Sequence, residues 1–223
     1  MDPGGAAADY AREREEMVAI GRKMADRGLV SGTDGNLSVR LPDGLILTTP
    51  TGRRKGELRP DELVVVDGDG RVIGPGAPSS ELPLHLRVYA ERPDVRAVVH
   101  AHPPYTTAFA VARRAVPAAV LPEVLLTIGE VALAPYGTPS TGEVPDRLAP
   151  LLAEHDCFVM MNHGALCLGP DLLTAYNRLE TLELAARVFI LAAPLGGAKF
   201  LSHSDAETLR RMREMRERNS RKE

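Results

Sequence analysis

The sequence predicts a single α/β domain. Helix-spaced and strand-spaced apolar segments alternate along the whole chain, and no linker long enough to divide it interrupts them. At 223 residues the chain can bury a sizeable core. Its 44% hydrophobic and 26% charged residues are ordinary for a globular protein. A net charge of −3 gives no global pull toward nucleic acid or an acidic membrane surface. The most apolar helical stretch, Ala185 to Ala193, contains Arg187 and ends at Pro194, too short and too polar to span a bilayer. Cys157 and Cys167 form no CxxC and read as small core residues, so a reducing cytoplasm is the expected compartment.

Taken in order, residues 1–8 read as a flexible leader, 9–200 as the domain, and 201–223 as a charged C-terminal helix and tail. Asp9 to Arg27 carries Met17, Ile20 and Met24 at helical spacing, and Gly28 ends the helix. The turn Ser31 to Asn36 precedes an alternating strand, Leu37 to Arg40, and Leu45 to Thr48 is a second strand. Leu63 to Val66 and Arg71 to Ile73 read as strands joined by the Asp67-Gly68-Asp69-Gly70 turn. Pro78-Ser79-Ser80-Glu81 opens a helix to about Arg92, with serine placed to cap it. A helix is expected from Thr106 to Arg113, a strand pair within Leu121 to Ala134, and a loop from Tyr136 to Gly142. A helix over Val144 to Glu154, a buried strand from Cys157 to Met161, and helices over Asp171 to Leu191 and Asp205 to Arg218 complete the chain. The last fourteen residues hold seven Arg or Lys and three Glu, a composition that reads as a solvated helix.

The β-branched run Val95 to Val99 leads into His100-Ala101-His102, and Pro103-Pro104 stops it. Side chains at i and i+2 of a strand share a face, so His100 and His102 present two imidazoles together. Asn162-His163-Gly164 supplies a third after the Cys157 run. Three histidines with an open position is the pattern of a catalytic zinc site. Three polar turns accompany it: Thr33-Asp34-Gly35-Asn36, Thr51-Gly52 and Ser79-Ser80. Each offers hydroxyls, amides and glycine-freed N–H groups, the makings of an anion nest if they converge; taken singly, such residues are what turns are made of. Glu81 is a helpful acid in a helix's first turn, and beside a zinc it becomes a fourth ligand or a proton carrier. His85, four residues on, either orients Glu81 or packs. His155 and His203 read as surface residues, and Glu123 either reaches the site or caps a strand.

The set Gly35-Asn36, Thr49-Pro50-Thr51-Gly52, Pro78 to Glu81, His100-Ala101-His102 and Asn162-His163-Gly164 resembles the class II aldolase/adducin-head family over Ala11 to Ala193, L-fuculose-1-phosphate aldolases in particular. That resemblance implies a single three-layer α/β/α domain with a mostly antiparallel central sheet, and a homotetramer with active sites at subunit interfaces. It implies one Zn2+ per subunit on His100, His102 and His163, with Glu81 close enough to bind the metal. It implies a phosphate cradle of Gly35, Asn36, Thr51, Gly52, Ser79 and Ser80, with Glu81 as the catalytic proton carrier. The activity so implied is retro-aldol cleavage of a small phosphorylated ketose to dihydroxyacetone phosphate and an aldehyde. The alternative is a dehydratase or decarboxylase on the same site, since a zinc-held enolate can also expel water or follow loss of carbon dioxide. Related ribulose-phosphate 4-epimerases carry aspartate where this chain has Glu81, and an adducin-like scaffold has no use for an intact metal site. In fuculose-phosphate aldolases a tyrosine in the stretch matching Leu121 to Thr127 helps protonate the leaving oxygen; here that stretch is Leu-Pro-Glu-Val-Leu-Leu-Thr.

Overall fold

Alternation along the strands sorts the side chains onto two faces, and each face recruits its own helices. The computed structural model describes residues 10–220, so the leader expected over 1–8 lies outside the described residues. Helix α1 (Ala11–Asp26) is followed by strands β1 (Asn36–Arg40), β2 (Ile46–Thr48), β3 (Val64–Val66) and β4 (Val72–Ile73). Then come α2 (Leu82–Glu91), β5 (Ala97–Ala101), α3 (Pro104–Val111), α4 (Pro122–Thr127), β6 (Val131–Ala134) and α5 (Glu143–Leu148). The chain ends with β7 (Cys157–Met160), β8 (Gly164–Gly169), α6 (Leu172–Ala192) and α7 (His203–Ser220).

The eight strands form one sheet in the order β4-β3-β2-β1-β5-β8-β7-β6. Every pairing is antiparallel except β6 with β7. Leu37, Leu47, Val65, Val99, Val159 and Cys167 face the layer containing α1, α3, α4, α6 and α7. Ile46, Val64, Val66, Val98, Phe158 and Leu168 face α2 and α5. A period-two pattern buried on both sides gives the expected three-layer α/β/α domain with a mostly antiparallel sheet.

Three expectations change. The strand pair anticipated within Leu121 to Ala134 is instead helix α4 followed by the single strand β6. Pro122 occupies the first helical turn, where its missing N–H costs nothing, and Val124, Leu125 and Ile128 bury one helical face. The helix expected through Glu154 stops at Leu148, and Pro150 sits in a short 3-10 turn that follows. Strand β8 was not anticipated; its glycine-bounded apolar run is wholly buried between β5 and β7. The two cysteines sit directly opposite each other on β7 and β8, buried and unbonded as a disulfide. No helix among the described residues is long and apolar enough to cross a membrane.

Candidate active site

The site forms where β1, β5 and β8 meet the start of α2. Asn36, the first residue of β1, pairs with His100 near the end of β5. Ala101 pairs with Ala165 of β8, so the Met161-Asn162-His163 turn between β7 and β8 lies beside the exit of β5. Asn162 takes the left-handed conformation (φ 55°) that closes this three-residue hairpin. Gly164 is required: a Cβ there would lie 2.4 Å from His102 Cδ2 and 2.5 Å from the Ala101 carbonyl. Gly35 is required likewise, with φ +75° and a Cβ position 2.8 Å from the His100 carbonyl. The glycines of two sequence motifs thus exist to let the histidine strand be approached from both sides.

The three imidazoles converge, with ring centroids 4.8 to 5.1 Å apart and ligand atoms within 4.8 Å of one another. His100 Nδ1 donates to the Ala165 carbonyl at 2.8 Å, which leaves the Nε2 lone pair facing the site. His102 Nε2 lies 3.1 Å from that Nε2. Glu81 spans the pair opposite, with Oε2 at 3.2 Å from His100 Nε2 and Oε1 at 3.1 Å from His163 Nε2. A tetrahedral ion with bonds of about 2.0–2.1 Å separates its ligand atoms by about 3.3 Å. The donor set and its spacing therefore fit a divalent metal, held by His100, His102 and His163 with Glu81 in reach. Burial, reinforced by His100 and His163, pushes His102 down to about 4, so it is a neutral imidazole at pH 7. Burial pushes the Glu81 carboxyl up, but the charge and hydrogen bonds of His100 and His163 outweigh this and hold it below the usual carboxylate range.

The three polar turns also converge. Backbone pairing of Pro50 with Pro78 joins two of them, with Thr51 N–H donating to Ala77 at 3.0 Å and Ser79 N–H to Thr49 at 3.1 Å. Asn36 ties in the third by donating Nδ2–H to Glu81 Oε2 at 2.8 Å. Two of the anticipated nest N–H groups are thus committed to joining the loops, while Thr51, Gly52 and Ser80 stay exposed. Ser79 accepts from the Glu81 amide at 3.3 Å, and Glu81 itself occupies the helix N-cap that serine was expected to hold. Ser80 accepts from Ser140 at 3.0 Å.

His85 does not orient Glu81 directly; its Nδ1 meets Ser38 at 2.6 Å. Glu123 is exposed on α4, His203 is exposed at the start of α7, and His155 packs edge-on against Phe158.

Three supporting roles escaped the sequence reading, which took Asp34 only as part of a polar turn. Asp34 Oδ2 lies 3.5 Å from His102 Nδ1, behind the triad. Glu183 on α6 accepts from the Tyr105 and Thr106 amides (2.9 and 2.7 Å) and from the Thr106 hydroxyl (2.8 Å). It thereby caps α3 immediately beyond His102. Lys55 is buried and donates to the Thr33 and Arg53 carbonyls, bracing two of the polar turns; burial pushes its amine down to about 8. Of Glu183 and Lys55, only Glu183 left a trace, as a carboxylate on the apolar face of α6 among Leu179, Leu182 and Ala186.

A model of the Class II Aldolase and Adducin N-terminal domain matches residues 15–190. The chain belongs to the class II aldolase/adducin family. It is 38% identical over 183 residues to the 3-oxo-tetronate 4-phosphate decarboxylase of Escherichia coli K12, covering 80% of this chain and 86% of that one. It is 33% identical over 179 residues to the L-fuculose phosphate aldolase of Methanocaldococcus jannaschii, covering 80% and 96%. Among solved structures, YgbL of Escherichia coli, given as an aldolase, epimerase or decarboxylase, superposes with TM-score 0.85 at 34% identity over 90% of this chain and 98% of that one. Class II aldolase family enzymes depend on a metal, and the histidine triad of this member could bind one.

Proposed function

We propose that the chain is a zinc-dependent carbon–carbon lyase that decarboxylates a small phosphorylated 3-oxo sugar acid, yielding carbon dioxide and dihydroxyacetone phosphate. The observation that carries this reading is the acid–base inventory of the site. Among the described residues, Glu81 is the one carboxylate against the inner nitrogens of the triad, and Asp34 touches only the far nitrogen of His102. Loss of carbon dioxide from a 3-oxo acid leaves an enediolate that needs one proton returned to carbon. Retro-aldol cleavage needs a second transfer as well, off the departing hydroxyl. The stretch that carries a tyrosine for the leaving oxygen in fuculose-phosphate aldolases is here Leu121 to Thr127, most of it α4, where Val124 and Leu125 are buried and Glu123 is exposed. The decarboxylase relative, whose named substrate is a phosphorylated 3-oxo acid, supports the same choice.

When bound, zinc supplies a Lewis acid that polarises the substrate carbonyl and stabilises the charge gathering on its oxygen. The protein does the rest. The Ala165 carbonyl holds the tautomer and orientation of His100, and the Asp34 carboxylate, 3.5 Å from His102 Nδ1, favours a proton on that nitrogen. Asn36 anchors Glu81 Oε2 and leaves Oε1 as the arm toward substrate. Burial favours the neutral carboxyl of Glu81; once His100 and His163 no longer hydrogen-bond to it, it becomes a usable acid for the substrate carbon. Thr51, Gly52, Ser79 and Ser80, with Gly35 and Asn36 at the inner wall, take the phosphate through hydroxyls and the remaining N–H groups.

The second reading is retro-aldol cleavage of a ketose 1-phosphate, which leaves the same enediolate; the aldolase relative favours it. A cytoplasmic homotetramer completes the proposal; Leu184 and Leu191 on α6 and Leu195 just beyond it are exposed and support a contact between subunits. The experiment is a substrate panel with the zinc-loaded protein: 3-oxo-tetronate 4-phosphate beside a set of ketose 1-phosphates. Carbon dioxide with dihydroxyacetone phosphate from the first is the expected result. An aldehyde with dihydroxyacetone phosphate from a ketose alone would move the chain to the aldolases, and turnover of neither would overturn both readings.

A further inference from the structure

Behind Glu81, two polar rows run in step. Asn36, Ser38 and Arg40 lie two apart on β1, on the face toward α2. Glu81, His85 and Tyr89 lie four apart at the start and along one face of α2. Two strand residues rise about 6.6 Å and four helix residues about 6 Å, so the rows stay in register. Asn36 Nδ2–H donates to Glu81 Oε2 at 2.8 Å, and Ser38 Oγ meets His85 Nδ1 at 2.6 Å. Ser38 also meets the Tyr89 hydroxyl at 2.7 Å, and Arg40 donates to the Tyr89 carbonyl at 2.6 Å with its guanidinium 5.0 Å from the ring centre.

Asn36, Ser38, His85 and Tyr89 of this ladder are buried in an otherwise apolar layer, where polar groups cost stability unless they are bonded. Burial pushes His85 down to about 3 and the Tyr89 hydroxyl up, so both are neutral at pH 7. The hydroxyl protons then have one satisfying direction: Tyr89 donates to Ser38, Ser38 donates to His85 Nδ1, and the imidazole proton rests on Nε2. That N–H has no partner among the described residues, and neither has Asn36 Oδ1 one rung along.

We propose that His85 is a positioning residue for Glu81. Held by Ser38, which Tyr89 bonds in turn, it fixes the register of α2 against β1 and so sets where Glu81 meets Asn36. The inference rests on the reading of Glu81 as the acid of a lyase.

His85→Phe fills the ring's volume and deletes the rung, while His85→Asn keeps a hydrogen-bonding atom for Ser38. In the full-length metal-loaded protein, His85→Phe lowers kcat about 100-fold, the effect of misplacing a catalytic group by 1 Å, with KM unchanged. His85→Asn recovers part of that loss. With cobalt in place of zinc and no substrate present, His85→Phe shifts the visible absorption band and His85→Asn restores it in part. If His85→Phe fails to fold, Ser38→Ala gives the same readouts with a smaller change. A lower melting temperature with kcat, KM and the cobalt band unmoved would overturn the proposal. If the wild type turns over no substrate, the lyase reading fails and the cobalt band alone decides the ladder.

Discussion

Gly164→Ala tests the geometry of the triad with one methyl group. The added Cβ would sit 2.4 Å from His102 Cδ2 and 2.5 Å from the Ala101 carbonyl. Ordinary carbon contacts begin about 1 Å further out. One contact is backbone of β5, so the strand or the His102 ring must yield by about that distance. Overpacking of this kind costs about 1–3 kcal/mol. For a chain of this size that lowers the melting temperature by about 2–12 °C. The functional loss is larger, because a 1 Å displacement of a ligand or reacting group costs on the order of 100-fold. Chelator competition reads metal affinity and steady-state kinetics reads kcat; both fall in the variant. Wild-type metal affinity and kcat in a folded Gly164→Ala protein would refute the claim that this close approach assembles the site.

Other perturbations have defined outcomes. Glu183→Gln weakens the three bonds that cap α3 beyond His102, lowering stability by about 2 kcal/mol in urea unfolding. Between pH 6.5 and 3 the unfolded chain protonates His85 while the folded one resists, so stability of the metal-free protein falls as pH drops through this window. The loss approaches about 5 kcal/mol, His102 adds in the same sense, and the slope of the urea midpoint against pH flattens in His85→Phe. Adding zinc at about 1,000 times its dissociation constant raises wild-type stability by about 4 kcal/mol, and His100→Ala abolishes the rise in a thermal melt.

The histidine strand was readable because its chemistry is local. His100 and His102 follow a β-branched run, and the two-residue period alone puts them on one face. His163 was readable as the end of a second apolar run, but β8 beyond it was not, since its short glycine-bounded stretch carries no alternation of its own. In α4 the apolar residues are too few to separate a helical period from a strand's, and Pro122 decided the outcome. Lys55 sits in an Arg-Arg-Lys run that reads as solvated, and only tertiary packing of α1 over it reveals a buried amine. The polar turns were identified one by one; their convergence depends on the Pro50–Pro78 pairing, a contact between segments whose sequences say nothing of each other. The Ser38–His85–Tyr89 ladder has readable periods on each element, but the pairing of one row with the other belongs to the fold.

The most direct measurement is the fate of the proton on the substrate carbon. In D2O the zinc-loaded wild type should convert 3-oxo-tetronate 4-phosphate to dihydroxyacetone phosphate carrying one deuterium on a single face of the carbon that lost carbon dioxide. Glu81→Gln, with metal still bound, should be slower by about 100- to 10,000-fold and lose that facial preference. A metal-loaded Glu81→Gln protein that keeps the wild-type rate and the same face would contradict the account, because the proton would then come from somewhere other than Glu81.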